Sequence, residues 1–352
     1  MDKKKIKVCE FAYKRAEIIG MTGDVTFCCP TFTDYYNLGN LHEQTFEEIW
    51  NGEKAQKIRQ AMIDGSFKYC HVDKCCQNGQ LLVDNIKNVS PIAPPPVDVE
   101  LGMYSVCNCL CTMCRRNEKV MYREFDNAFY DTMRVKYLPI IKHAKMLSLN
   151  SYGEVFFDDN CKRLIKWASV INKKLKFQIL TNGVFADKEH FEDYGIIDRT
   201  YRVSVSIHAA TKKTYNSIVK SGNFDRVVKN VEWLAKEKKN HRFKEVIINF
   251  VVQQKNYKEM IDFAKWAQKL KIKCCFWEVR LEDDNTELWN KYMYEKDIKI
   301  RNKEMARDAS EYYKAAVHLP EHPEHKQLVE IVKNPIFQKR YCEINDLLLN
   351  LK

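Results

Sequence analysis

Residues 97–114, VDVELGMYSVCNCLCTMC, decide how the chain reads. The first seven alternate apolar side chains with others, the period of a half-buried strand. The segment then runs into Cys107, Cys111 and Cys114 at C-x3-C-x2-C spacing. Working outward, the strand signal returns at 145–150, 176–181, 201–207, 245–252 and 273–279. Helical stripes lie between these segments. Phe224, Val227, Val228, Val231, Leu234 and Ala235 share one face, and Met260, Phe263, Ala264, Ala267 and Leu270 share another. Six strands alternating with helices predict an α/β fold of parallel βα units with right-handed crossovers, a partial barrel two strands short of eight. Loops at the carboxyl ends of such strands carry the chemistry, and the cysteine triplet occupies the first of them.

The chain has 352 residues, with 58 Lys and Arg against 47 Asp and Glu, a net charge of +11. A hydrophobic fraction of 45% and a charged fraction of 30% belong to a globular protein and exclude collagen-like and wholly disordered classes. The length allows about two domains. No run of 18 apolar residues marks a membrane helix, and MDKKKIKVCEFAYKR lacks the apolar stretch of a secretory signal, so a cytoplasmic location is expected. Fourteen cysteines are the strongest compositional signal, and ten of them fall within the first 114 residues. In a reducing compartment they point to metal or redox chemistry rather than disulfides.

Residues 84–98, DNIKNVSPIAPPPVD, hold four prolines that remove backbone donors and favour extended conformations, the signature of a linker. Ahead of it, residues 1–83 form a small cysteine-rich α+β domain. Thr45 and Glu48 stand at capping-box spacing there, followed by apolar faces at Phe46, Ile49 and Trp50 and at Ala55, Ile58 and Met62. Residues 99–300 hold the βα units. Residues 301–352 read as a helical extension interrupted by HLPEHPEH.

Three thiolates in a tight loop suit either a zinc knuckle, with Cys109 as a fourth ligand, or an iron–sulfur cluster with one iron left open. At this point the sequence resembles the radical S-adenosylmethionine superfamily over about 97 to 280. The resemblance implies a TIM-like partial (βα)6 barrel and a [4Fe-4S] cluster held by Cys107, Cys111 and Cys114. It also implies S-adenosylmethionine as cofactor, cleaved by reduction to a 5′-deoxyadenosyl radical that abstracts hydrogen from substrate. SYGEVFF, after the second strand, resembles the G-G-E-P-type motif and makes Glu154 a contact to the cofactor's amino group. LTNGVF resembles the T-N-G turn and adds Thr181 and Asn182 as cofactor-binding residues. VSVSIHA resembles the S-I-D-G segment and adds Ser206. Lys220, in IVKSGNF, stands where Arg is common, His208 where Asp is usual, and Met113 where an aromatic often precedes the third cysteine.

A hairpin supplying two thiolates and a loop past a helix supplying two more can enclose a cluster, which stabilises a domain too small to rely on its core. The stretch from Cys9 through NLGNLHEQTFEEIWNGEKAQKIRQAMIDGSFKYCHVDKC resembles the SPASM and twitch auxiliary-cluster domains. That resemblance implies one auxiliary [4Fe-4S] cluster on Cys9, Cys28, Cys70 and Cys75, with Cys29 and Cys76 as alternates and a zinc site as the competing reading. The family usually carries this domain after the barrel; here it comes first.

Cys274 and Cys275 read as buried thiols on opposite faces of the sixth strand, and His318, His322 and His325 as a solvated turn. Arg115 and Arg116 follow the cluster loop and suit either an anionic ligand or solvent. No interleaving of aromatic and basic residues marks a nucleic-acid site. The expected activity is C–H functionalisation or oxidation of a small polar substrate, sugar-like or aminocyclitol-like, with a low-potential donor such as flavodoxin or ferredoxin. A peptide-modifying maturase is the alternative within the class, disfavoured by a cluster domain that begins at Cys9 and leaves no room ahead of it for a leader-binding module. A structural or nucleic-acid-binding zinc protein is the alternative outside it.

Overall fold

The computed structural model describes residues 8–19, 23–28, 37–70, 82–83, 89–102, 106–114, 127–149, 153–279, 314–344 and 348. A ten-stranded sheet organises them. Its strands are β1 (Arg15–Ile19), β2 (Asp24–Thr26), β3 (Gly39–Asn40), β4 (Asp98–Gly102), β5 (Met146–Leu149), β6 (Lys176–Thr181), β7 (Thr200–Ser206), β8 (Glu245–Val252), β9 (Lys273–Glu278) and β10 (Cys342–Ile344), ordered β10-β9-β8-β7-β6-β5-β4-β1-β2-β3. The fold is α/β with a mostly parallel sheet. From β10 to β1 every neighbouring pair is parallel, and only β2 and β3 run antiparallel at one edge.

The six expected strands are all present as β4 to β9. Two more parallel strands flank them, β1 beside β4 and β10 beside β9. The carboxyl-terminal segment is therefore not purely helical: after the helix His325–Val332 the chain returns to the sheet at Cys342. Strand order that advances steadily with the sequence puts right-handed crossovers, and hence helices, on one face. That face is apolar. Val99, Leu147, Phe177, Ile179, Val203, Val246, Phe250 and Phe276 are all at most 1% exposed. Phe263, on the helix Met260–Leu270, packs edge-on against Phe250 and Phe276 at centroid distances of 4.9 and 5.9 Å.

The opposite face is polar. Glu17, Glu100, Ser148, Gln178, Arg202 and Glu245 stand in register across six strands. Arg202 joins its neighbours, donating from Nε to Glu245 at 2.5 Å and from Nη1 to Gln178 at 3.0 Å. Lys273 reaches Glu245 at 2.7 Å, and Arg15 pairs with Glu100.

The proline-rich segment is bound, over residues 91–94, to the helices α1 (Phe46–Trp50) and α2 (Glu53–Ile63). The Thr45–Glu48 capping box starts α1 as expected. Trp50 Nε1 donates to the Pro94 carbonyl at 2.8 Å, and the Asn51 side chain both donates to Ala93 O and accepts from Ala93 N. Arg59, fully buried, donates to the carbonyls of Ala12 and Pro91 and to Asn51 Oδ1. Its guanidinium lies 4.7 Å from the Trp50 ring and 4.8 Å from Phe27, and burial pulls its pKa down to about 10, so it stays charged at neutral pH. Removing this side chain takes the donor from the buried Ala12 carbonyl and the half-buried Pro91 carbonyl and opens a cavity. Arg59→Ala is expected to cost about 3–5 kcal/mol in urea unfolding; a loss under about 1 kcal/mol would show that the ties around Arg59 do not hold the segment.

Candidate active site

The cysteine loop lies beyond the carboxyl end of β4 and is tied down by its neighbours. Leu110–Cys111 pairs antiparallel with Val219–Lys220, and Thr112 N donates to the Ile218 carbonyl at 2.8 Å. The Val106 carbonyl accepts from Glu154 N at 2.8 Å. Cys107 Sγ accepts from Cys109 N at 3.4 Å and from Asn182 Nδ2 at 3.7 Å. Cys107 and Cys111 are half-buried and Cys114 is exposed. Burial, then repulsion from Cys114 and Cys107, pushes the Cys111 thiol well above its ordinary range. Three thiols on one tight loop are, by their chemistry, a donor set that suits an iron–sulfur cluster. A further observation agrees. The Tyr215 hydroxyl is fully buried, has no hydrogen-bond partner, and has Cys109, Cys111, Glu154 and Cys107 as its electrostatic neighbours. Among the described residues, no group of three or more His, Cys, Asp or Glu is spaced to hold a single metal ion.

Glu154 is the second feature. It sits on the loop after β5, fully buried, and accepts from Thr181 Oγ1 at 2.5 Å, Asn182 N at 2.6 Å and Phe156 N at 3.3 Å. The T-N-G turn after β6 is thus a clamp on this carboxylate. Gly183 makes the turn possible: its φ is +84°, and a Cβ there would meet Val205 Cγ1 at 2.6 Å. Asn230, on the helix Phe224–Lys239, holds the turn from outside by donating to the carbonyls of Gly183 and Val184 at 2.8 and 3.1 Å. Asn182 faces both ways, its backbone on Glu154 and its side chain on Asn108 Oδ1 and Cys107 Sγ.

Ser206, half-buried at the end of β7, stands opposite Asn249. Two residues on, His208 is buried with φ +64°, held by its N–H on Asn249 O, by Val251 N donating to its Nδ1 at 3.0 Å, and by Asn256 donating to its carbonyl. Burial lowers its pKa to about 4, so it is neutral. Lys220 is exposed and is brought to the cysteine loop by pairing with Leu110. In the amino-terminal unit, Cys9 pairs with Leu82, Cys28 follows β2, and Cys70 N donates to Phe67 O; all three thiols are half-buried against the core. Cys29, Cys75, Cys76, Arg115 and Arg116 lie outside the described residues. Tyr215 and Asn230 were not expected from the sequence, where each is an ordinary polar position on an amphipathic helix.

Burial raises the Glu154 pKa to about 7, against the pull of its three hydrogen bonds. A carboxyl that is more basic folded than unfolded makes the folded state bind the extra proton between about pH 4.5 and 7, so its contribution to stability is lost as pH rises through that window. The slope for one proton is about 1.4 kcal/mol per pH unit at most. Glu154→Gln is expected to remove this component when urea unfolding is followed across that range. An unchanged pH dependence would mean the carboxyl is solvated.

Residues 9–77 match the SPASM family model, an iron-sulfur cluster-binding domain. GTP 3′,8-cyclase of Clostridium botulinum is 25% identical over 181 residues, which cover 49% of this chain and 53% of the cyclase. The chain spans about half the length of the curated relatives it matches. Among solved structures, native anSMEcpe with bound AdoMet and Kp18Cys peptide aligns over 71% of this chain and 64% of its own, at 17% identity and a TM-score of 0.45. BtrN in complex with AdoMet and 2-DOIA aligns over 35% of this chain and 50% of its own, at 22% identity and a TM-score of 0.27. Likenesses that weak decide nothing about substrate. Sequence relatives, cysteine triplet and iron–sulfur segment together support a radical S-adenosylmethionine enzyme with a SPASM domain.

Proposed function

We propose that the cysteine loop and the Glu154 clamp form one cofactor site, and that the protein functionalises or oxidises a C–H bond of a small polar substrate. The observation that carries this reading is Asn182, whose backbone N–H and carboxamide join Glu154 to Cys107. Cys107, Cys111 and Cys114 would hold the [4Fe-4S] cluster, and Glu154, with Ser206 and Lys220, the S-adenosylmethionine. Thr181 and Asn182 keep their place in the cofactor site as the residues that aim Glu154. When bound, cluster and cofactor supply a radical able to abstract hydrogen, with electrons from a donor such as flavodoxin or ferredoxin. Glu154 gives up its proton when an ammonium arrives, and its burial then strengthens the pair. His208 stays neutral at the edge of this site and adds no competing charge.

The polar sheet face supports a small hydrophilic substrate over an apolar one. Asn249 and Ser206 share its upper rows, and Trp277 reaches Asn249 Oδ1 at 3.4 Å. In this reading the sheet curls into a partial barrel around that face. Burial pushes the Asp98 carboxyl on β4 above the usual carboxylate range, with Arg15 and then Arg202 of β7 pulling the other way, although β7 and β4 are three strands apart, about 14 Å in a flat sheet. Residues 1–83 form the auxiliary domain, and Cys9, Cys28, Cys70 and Cys75 hold a second [4Fe-4S] cluster near substrate. A peptide substrate is the competing reading within the family.

Iron content separates the two clusters. Anaerobically reconstituted protein is expected to hold about eight irons, and Cys107, Cys111 and Cys114 changed together to Ala about four. Full iron in the triple variant would remove the loop as a cluster site. Incubation with reductant, S-adenosylmethionine and either a polar metabolite panel or a peptide panel then tests substrate class. 5′-Deoxyadenosine formation coupled to peptide alone would overturn the small-molecule reading.

A further inference from the structure

Two thiols outside both cysteine sets meet at the carboxyl-terminal edge of the sheet. Cys274 on β9 and Cys342 on β10 are directly opposite in parallel register, with their Sγ atoms 3.4 Å apart. Directly opposed residues on neighbouring strands hold their Cα atoms about 5 Å apart, inside the range that a disulfide spans. The two sulfurs are unequal. Cys274 is fully buried, on the face covered by Phe263 and Phe337, and its thiol also points to the Tyr341 carbonyl at 3.3 Å. Cys342 is half-buried, and the thiol donated by Cys274, with help from the Lys339 ammonium, holds it below the ordinary cysteine range. An accessible, acidified thiol backed by a second, shielded one is the arrangement of an attacking and a resolving cysteine.

We propose that Cys274 and Cys342 form a reversible disulfide site that fastens the carboxyl-terminal strand to the sheet, with a low-molecular-weight disulfide such as oxidised glutathione as the oxidant. The Cys342 thiolate attacks one glutathione sulfur, and the first glutathione leaves as thiolate. Cys274 loses its proton and attacks the Cys342 sulfur of the mixed disulfide, and the second glutathione leaves. Two protein thiols are oxidised by two electrons, and one glutathione disulfide is reduced to two thiols. The consequence reaches the polar face. Among the described residues β10 is held by three register pairs, and Glu343 meets Lys273 at 2.8 Å and Cys275 at 3.4 Å on the side opposite Cys274. A short edge strand opens readily, so a cross-link at Cys342 keeps Glu343 in place beside the polar rows.

The test uses cluster-loaded protein, kept anaerobic and treated with oxidised glutathione, followed by peptide mapping without reductant. Wild type is expected to give a peptide joined through Cys274 and Cys342, with amide exchange at 342–344 slowed about tenfold or more. Cys274→Ser should trap glutathione on Cys342, and Cys342→Ser should leave Cys274 unmodified. Glutathione retained on Cys342 of the wild type, or both thiols unreacted in the folded protein, would overturn the proposal.

Discussion

A carboxylate with three neutral hydrogen-bond partners, buried where it would rather be protonated, sets the terms for the centre of this molecule. Glu154 is stable there because Thr181 and the backbone of Asn182 and Phe156 converge on it. Those donors exist in that place because β6 ends in a turn that only glycine completes without strain, pressed onto Val205 and Val227 and tied from behind by Asn230. The same turn delivers the Asn182 carboxamide to Cys107. A group of this kind costs stability in an empty site and recovers it when a cation arrives.

The sheet makes that convergence possible. Parallel strands in chain order bring the loops after β4, β5, β6 and β7 to one end of the sheet, so residues as distant in sequence as Cys107 and Ser206 lie at the same end. The helix-covered face supplies the apolar core, while the row from Glu17 to Glu245 makes the other face polar. The amino-terminal unit is built into this frame. β1 extends the parallel sheet at β4, and Arg59 ties the helix pair to the proline-rich segment.

Much of this was legible in the sequence, for identifiable reasons. β4 to β9 alternate over enough residues, between stripes clear enough, that period alone finds them. β1 escaped notice because RAEII, five residues in a cysteine-rich stretch, reads as part of a cluster hairpin; its partner is more than eighty residues away. β10 is three residues long and carries no signal above its helical surroundings. The cysteine triplet was legible through its spacing, and Glu154 through the resemblance of SYGEVFF to a family motif. Thr181 and Asn182 were found as a motif, while their grip on Glu154 needed coordinates. Tyr215 was invisible, since a tyrosine on an amphipathic helix is ordinary until its hydroxyl is seen to be buried beside thiols.

The central claim is that the buried carboxylate and the cysteine loop are two halves of one cofactor site. The most direct measurement is the electron paramagnetic resonance spectrum of the chemically reduced protein, with and without S-adenosylmethionine, in wild type and in Glu154→Ala. The wild-type signal from the Cys107 cluster is expected to shift when the cofactor is added, and the variant, with its iron content intact, to show the same starting signal and no shift at the same cofactor concentration. A variant that responded to S-adenosylmethionine as the wild type does would contradict the claim.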